Sequence, residues 1–136
     1  MGKVAEINPD INQLKFLCEA GHCLAMNKRY ELATEIFQAV VALSPQKSIG
    51  YTLLGDAYLN LNQMDEALKN HQKALEIDSE NTFARVHLGQ TLLFKKQKEK
   101  GIAELKRVLD QDPNGVDANL ARQLIKVAEM GVFNKI

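Results

Sequence analysis

Apolar residues along the chain recur at i, i+3, i+4 and i+7, the spacing that lines one face of an α-helix. Leu17, Ala20, Gly21 and Leu24 follow it, as do Tyr51, Leu54, Gly55 and Tyr58. A second stripe comes after a short polar turn. Ala33, Phe37, Val40 and Leu43 follow Met26-Asn27-Lys28-Arg29, and Ala67, His71, Ala74 and Ile77 follow Asn60-Leu61-Asn62. The pattern predicts paired helices, each pair a hairpin. Ser44-Pro45 and Asp112-Pro113 set a capping residue before a proline, which ends one helix and admits the next.

The stripes repeat. Gly21, Gly55 and Gly89 lie 34 residues apart, Pro45 and Pro113 lie twice that distance apart, and Ser79 stands midway between the prolines. Aligned on the glycines without a gap, Ala20 matches Leu54 and Leu88, and Leu24 matches Tyr58 and Leu92. Ala33 matches Ala67 and Gly101, and Phe37 matches His71 and Leu105. A glycine at the crossing of two antiparallel helices lets their backbones approach. The small residue of the second helix (Ala33, Ala67 or Gly101) is expected to face it. On that reading Gly101→Ala gains up to about 1 kcal/mol of helix propensity.

The chain resembles the tetratricopeptide repeat, whose pattern W-x2-L-G-x2-Y…A-x3-F…P has this period. Three copies are expected over 14–47, 48–81 and 82–115, within a single domain over 1–136. The second copy fits best, through Leu54, Gly55, Tyr58, Ala67 and Ala74; the first keeps Gly21, Ala33, Phe37 and Pro45. The third departs most, with Arg85 in the aromatic slot, Leu92 for Tyr and Gly101 for Ala, and its hairpin is expected to be the loosest. The resemblance implies an all-α fold, a right-handed α-solenoid of three hairpins plus a C-terminal capping helix over about 116–130. Asn8-Pro9-Asp10 reads as the start of the first helix, from about residue 9, and 132–136 is expected to be disordered.

In this family the first helix of each hairpin lines the concave side. The residues placed there are Cys18, His22 and Met26, then Ile49, Thr52, Asp56 and Leu59, then Phe83, Val86, Gln90 and Phe94. A mostly apolar groove of this kind suits an extended or helical segment of a partner protein. Members of the family that grip the acidic C-terminus of heat-shock chaperones carry Lys, Asn and Arg at set inner positions. Here those places hold Cys18, His22, Leu53, Phe83 and His87, with no cation to pair a carboxylate. The resemblance therefore argues against that ligand. A narrower similarity is to the chaperones of type III secretion translocators, through the run Tyr30 to Leu43. Those proteins are usually acidic and often dimerise, and a homodimer is compatible with this chain. Two functions are carried forward: a chaperone or adaptor that captures a segment in its groove, and a structural assembly subunit that uses its convex face or cap.

Composition narrows the field further. The 136 residues carry 17 Lys+Arg and 17 Asp+Glu, a formal net charge of zero, with 46% hydrophobic residues. That suffices for a core without disulfide or metal, and a neutral chain lacks the electrostatic footprint of a nucleic-acid or membrane-surface binder. No apolar run reaches membrane-spanning length, Met1 to Ile7 lacks the features of a secretory signal, and Glu6 breaks the myristoylation pattern that Gly2 would begin; a cytoplasmic protein is expected. Cys18 and Cys23, about 140° apart around one helix, cannot bridge each other there.

No cofactor or metal set appears. Cys18 and His22 share a helix face, but no second cysteine joins them, and His71 and His87 lie in other repeats. Asp65-Glu66 and Asp78-Ser79-Glu80 sit at helix starts, where carboxylates complement the helix dipole. No phosphate-binding glycine loop is present, so the chain reads as a non-enzyme. Lys95-Lys96-Gln97-Lys98-Glu99-Lys100 forms one basic cluster at a hairpin turn, expected to be a solvated edge.

Overall fold

The computed structural model describes residues 10–135, which form seven α-helices and a terminal 3-10 turn. They are α1 (Ile11–Met26), α2 (Tyr30–Leu43), α3 (Ser48–Asn60), α4 (Met64–Ile77), α5 (Thr82–Phe94), α6 (Lys98–Gln111), α7 (Val116–Glu129) and the 3-10 segment Val132–Lys135. Asp10 caps α1 by accepting the Asn12 N–H at 3.0 Å. Asn8 and Pro9, with the Met1 to Ile7 stretch and Ile136, lie outside the described residues.

The 34-residue period is visible in the backbone itself. Lys28, Asn62 and Lys96 each turn a hairpin at positive φ (61°, 60° and 63°). After each, a backbone N–H reaches back 2.9 Å to the preceding helix: Arg29 to the Leu24 carbonyl, Gln63 to that of Tyr58, Gln97 to that of Leu92. The links between hairpins repeat likewise, with the N–H groups of Lys47, Asn81 and Gly115 donating to the carbonyls of Ser44, Asp78 and Asp112 at 3.1–3.2 Å.

The three hairpins α1–α2, α3–α4 and α5–α6 stack in order, and α7 lies against α5 and α6. The odd helices also touch one another directly, α1 with α3, α3 with α5 and α5 with α7; α2, α4 and α6 make no comparable mutual contact. The odd row is therefore the tighter, inner layer of a curved solenoid.

Close approach at the hairpin seams takes a different form from small facing small. A Cβ on Gly21 would strike the Phe37 ring, and one on Gly55 would lie 2.7–2.9 Å from the His71 ring. Only the third seam sets glycine against glycine, since a Cβ on Gly101 would lie 3.0 Å from the Gly89 carbonyl and 2.9 Å from Leu93. That crowding opposes the helix-propensity gain expected from Gly101→Ala.

The third hairpin is also the best buried, against the expectation that it is loose. Val86, Leu93, Leu105 and Val108 form one core with Ala121 and Ala128 of α7. Arg85, in the aromatic slot, binds Glu104 at 2.6 Å, Gln111 at 3.1 Å and the Ser79 carbonyl at 3.0 Å.

The two ends of the stack differ. On α7 the exposed polar residues Arg122, Gln123 and Lys126 occupy the places held in α3 by Leu54, Gly55 and Tyr58, so α7 ends the stack without calling for a helical partner. Val132–Lys135, within the stretch expected to be disordered, forms a 3-10 turn, with Phe133 packed on the third-hairpin core and edge-on to Phe94 at 5.2 Å. At the other end Phe16 is 68% exposed beside a hollow of about 510 Å³ lined by Asn12, Gln13, Leu17 and Leu43. The matching residues further along, Gly50, Ala84 and Ala118, are small and buried because each lies under a preceding hairpin.

Candidate functional site

The inner row fixes which side chains a partner can reach. Ile49 and Phe83 hold matching places at the starts of α3 and α5 and are 45% and 37% exposed; Phe94, at the end of α5, is 36% exposed despite its contact with Phe133. His22 and Met26 are exposed on α1, while Asp56, Leu59 and Gln90 are half-buried.

Thr52 and Val86, expected in the groove, do not line it. Both are buried. They hold equivalent places, one period apart, on the flank that each inner helix turns toward the next, and contact between inner helices covers that flank. Thr52 Oγ1 accepts from Asn81 Nδ2 at 2.9 Å, while Asn81 Oδ1 caps α5 by accepting the Ala84 N–H at 3.0 Å. The same side chain thus joins α3 to α5 and starts α5. Cys18, the third member of this series, is half-buried, and burial followed by the neighbouring Glu19 pushes its thiol above the ordinary range. A raised thiol pKa disfavours the reactive thiolate.

Mid-groove, the structure gathers a polar cluster around His87. Its ring packs on Phe83 with centroids 4.4 Å apart, and its Nδ1 lies 3.0 Å from Gln90 Oε1 and 3.9 Å from Asp56 Oδ1. Behind it lies His71 of α4, stacked at 6.0 Å and wholly buried. Burial, with a smaller contribution from His87, pushes the His71 imidazole down to about 3, so it is neutral at ordinary pH. His87 is not among the expected groove residues. The signal for it was the i, i+4, i+7 spacing of Phe83, His87 and Gln90 on one helix face.

Shallow clefts lie on the other side of the hairpins. Clefts of about 430–540 Å³ between α4 and α6 are lined by Gln72, Leu88, Glu104 and their neighbours. On the concave face Ile49, Phe83 and Phe94 are each more than a third exposed, an apolar surface that suits a segment laid across it. At the basic edge Lys95 bonds the Asp65 carboxylate, and this holds Asp65 below the usual carboxylate range. Among the described residues no group of three or more His, Cys, Asp and Glu is placed to hold a metal, and no helix is long and apolar enough to cross a membrane.

A curved stack of helical hairpins with an open inner face defines an α-solenoid of the protein-interaction kind. Residues 48–81 and 84–114 each match a model of the tetratricopeptide repeat, and the chain belongs to the tetratricopeptide-repeat proteins. Among curated proteins, heat shock protein STI1 of Saccharomyces cerevisiae is 38% identical over 68 residues, 50% of this chain and 12% of that protein. The Hsp70-Hsp90 organizing protein of Triticum aestivum is 26% identical over 96 residues, 71% of this chain and 16% of that one. The chain thus spans a small fraction of the relatives it matches. Among solved structures, the first repeat domain of Spaghetti (RPAP3) bound to the HSP90 peptide SRMEEVD has a TM-score of 0.81 at 19% identity, covering 93% of this chain and 98% of that one. The Yersinia enterocolitica type III secretion chaperone SycD, in complex with a peptide of the translocator YopD, has a TM-score of 0.81 at 18% identity, with 93% and 98% covered. These two likenesses show the shared fold.

Proposed function

We propose that the chain works without catalysis, as a chaperone or adaptor that captures a segment of another protein on its concave face. The observation that carries this is the presence of Ile49, Phe83 and Phe94, large apolar side chains each more than a third exposed, on the inner helices of a repeat-protein solenoid. Similarity to domains solved with bound peptides supports it. The segment is apolar rather than the acidic tail of the heat-shock peptide, because Cys18, His22, Leu53, Phe83 and His87 offer no Lys or Arg. Within this reading the segment belongs to a secretion substrate, whose apolar parts the groove shields before export.

The test is capture from a lysate on immobilised protein, wild type against Ile49→Glu with Phe94→Glu, with helicity checked by circular dichroism. A partner held by wild type and lost from the folded double variant supports groove capture. A partner held equally by both moves the function to the outer helices or the ends of the stack, as a scaffold subunit would require. Recovery of a secretion substrate supports the narrower reading, and an unrelated partner removes it.

A further inference from the structure

The groove carries a charge that its apolar anchors do not use. Asp56 of α3 keeps 34% of its side chain exposed. Among the described residues no side-chain or backbone donor lies within hydrogen-bond distance of its carboxylate, since His87 Nδ1 is 3.9 Å away and has the closer Gln90 Oε1 at 3.0 Å. The same His87 ring packs on Phe83 with centroids 4.4 Å apart, and Phe83 is itself 37% exposed. A carboxylate with no donor among the described residues and a part-exposed aromatic ring therefore both adjoin one imidazole. An ammonium or guanidinium is attracted to both, through a charge-assisted hydrogen bond to the one and the quadrupole of the other. An anion is repelled by both.

We propose that Asp56, Phe83 and His87 form a subsite for one Lys or Arg of the captured segment, so that the partner is an apolar segment carrying a basic residue between its anchors. This rests on the groove-capture reading and sharpens it. Asp56 and Gln90 hold matching places one period apart, so the charge sits on one inner helix with an uncharged amide on the next. That asymmetry sets the register and direction of the bound segment. Gln90 positions the subsite by taking up His87 Nδ1, which leaves Asp56 free for the ligand.

The experiment is selection of 12-residue peptides from a random phage-displayed library against wild type, Asp56→Lys and Ile49→Glu, followed by fluorescence anisotropy on resynthesised peptides. We expect wild type to enrich Lys and Arg between apolar residues, Asp56→Lys to lose that enrichment, and Gln in place of the selected basic residue to weaken binding roughly tenfold. A wild-type pool without basic enrichment, or the same basic pool on Asp56→Lys, overturns the subsite; groove capture still stands if those peptides are lost on Ile49→Glu. A pool retained in full by Ile49→Glu, or no pool on wild type, overturns the groove reading and the subsite with it. Should Asp56→Lys lose helicity, the near-isosteric Asp56→Asn takes its place, with the same basic enrichment lost if the subsite is real and kept if it is not.

Discussion

The second and third hairpins fill the same 34-residue pattern with different chemistry. The second keeps the repeat's residues most closely, yet its seam sets Gly55 against His71, whose two ring nitrogens are buried with no hydrogen-bond partner among the described residues. The third departs at Arg85, Leu92 and Gly101, yet its seam is filled by Leu93, Leu105 and Val108, and Arg85 finds three acceptors. Resemblance to a repeat specifies the shape that is built. Stability depends on whether the atoms inside that shape find partners.

The largest expected effect comes from crowding the second seam. Leucine at Gly55 must displace a buried ring that already stands 2.7 Å from where its Cβ would be, so Gly55→Leu is expected to cost about 3 kcal/mol, the upper end of overpacking penalties. Urea denaturation followed by circular dichroism measures it. An unchanged midpoint would show that His71 is free to swing aside, and the two seams would then be equally tolerant.

Acid is expected to act next, and through the second hairpin. The folded pKa of His71 lies near 3, below the ordinary 6.5, so the folded state binds fewer protons than the unfolded chain between these values. Its stability is full above 6.5 and is lost as pH falls toward 3, with about 2 kcal/mol gone between pH 7 and pH 5. Leu105 holds the matching place in the third hairpin, so His71→Leu should flatten that dependence and raise neutral-pH stability by about 1 kcal/mol. A slope below pH 6.5 that survives in His71→Leu would assign the titration to another group.

This contrast marks what could be read from the residues alone. Period, hairpins, turn positions and the capping role of α7 follow from side-chain type at fixed spacing, because a hydrophobic stripe and a tight turn are local consequences of sequence. Which flank of an inner helix is covered is not local: Thr52 and Val86 lie one helical turn from the exposed Ile49 and Phe83, and contact between successive hairpins decides their burial. His87 is a mixed case, since its spacing to Phe83 and Gln90 is local while its approach to Asp56 is made across helices. Arg85 departs from the repeat's pattern in sequence, while its side-chain acceptors Glu104 and Gln111, 19 and 26 residues away, come together only in the fold.

The glycine pair of the third hairpin gives a smaller and sharper test. Alanine at Gly101 gains helix propensity in isolation, but its Cβ meets the Gly89 carbonyl at 3.0 Å, a backbone atom that cannot rotate away. Gly101→Ala is expected to lose about 1 kcal/mol net, the clash outweighing the propensity gain. A stabilised variant would show that α5 and α6 can part slightly without penalty.

Restoring the aromatic slot is expected to bring the smallest change, and one that runs against the repeat's own pattern. Tyr51 holds this place in the second hairpin, so Arg85→Tyr makes the third more typical. It also takes one donor from Gln111 and one from Glu104, which keeps Arg107 at 3.1 Å and has a side chain only 18% exposed. The pair is partly solvated, so its loss is expected to cost about 1 kcal/mol rather than the several of a fully buried ion pair. A double-mutant cycle of Arg85→Tyr with Glu104→Gln, read by thermal melting at low and high salt, isolates the pair. Positive coupling that shrinks as salt screens it is the expected result. If Arg85→Tyr is instead the more stable protein, the closest match to the repeat is also the best packed, and the distinction between the two hairpins falls.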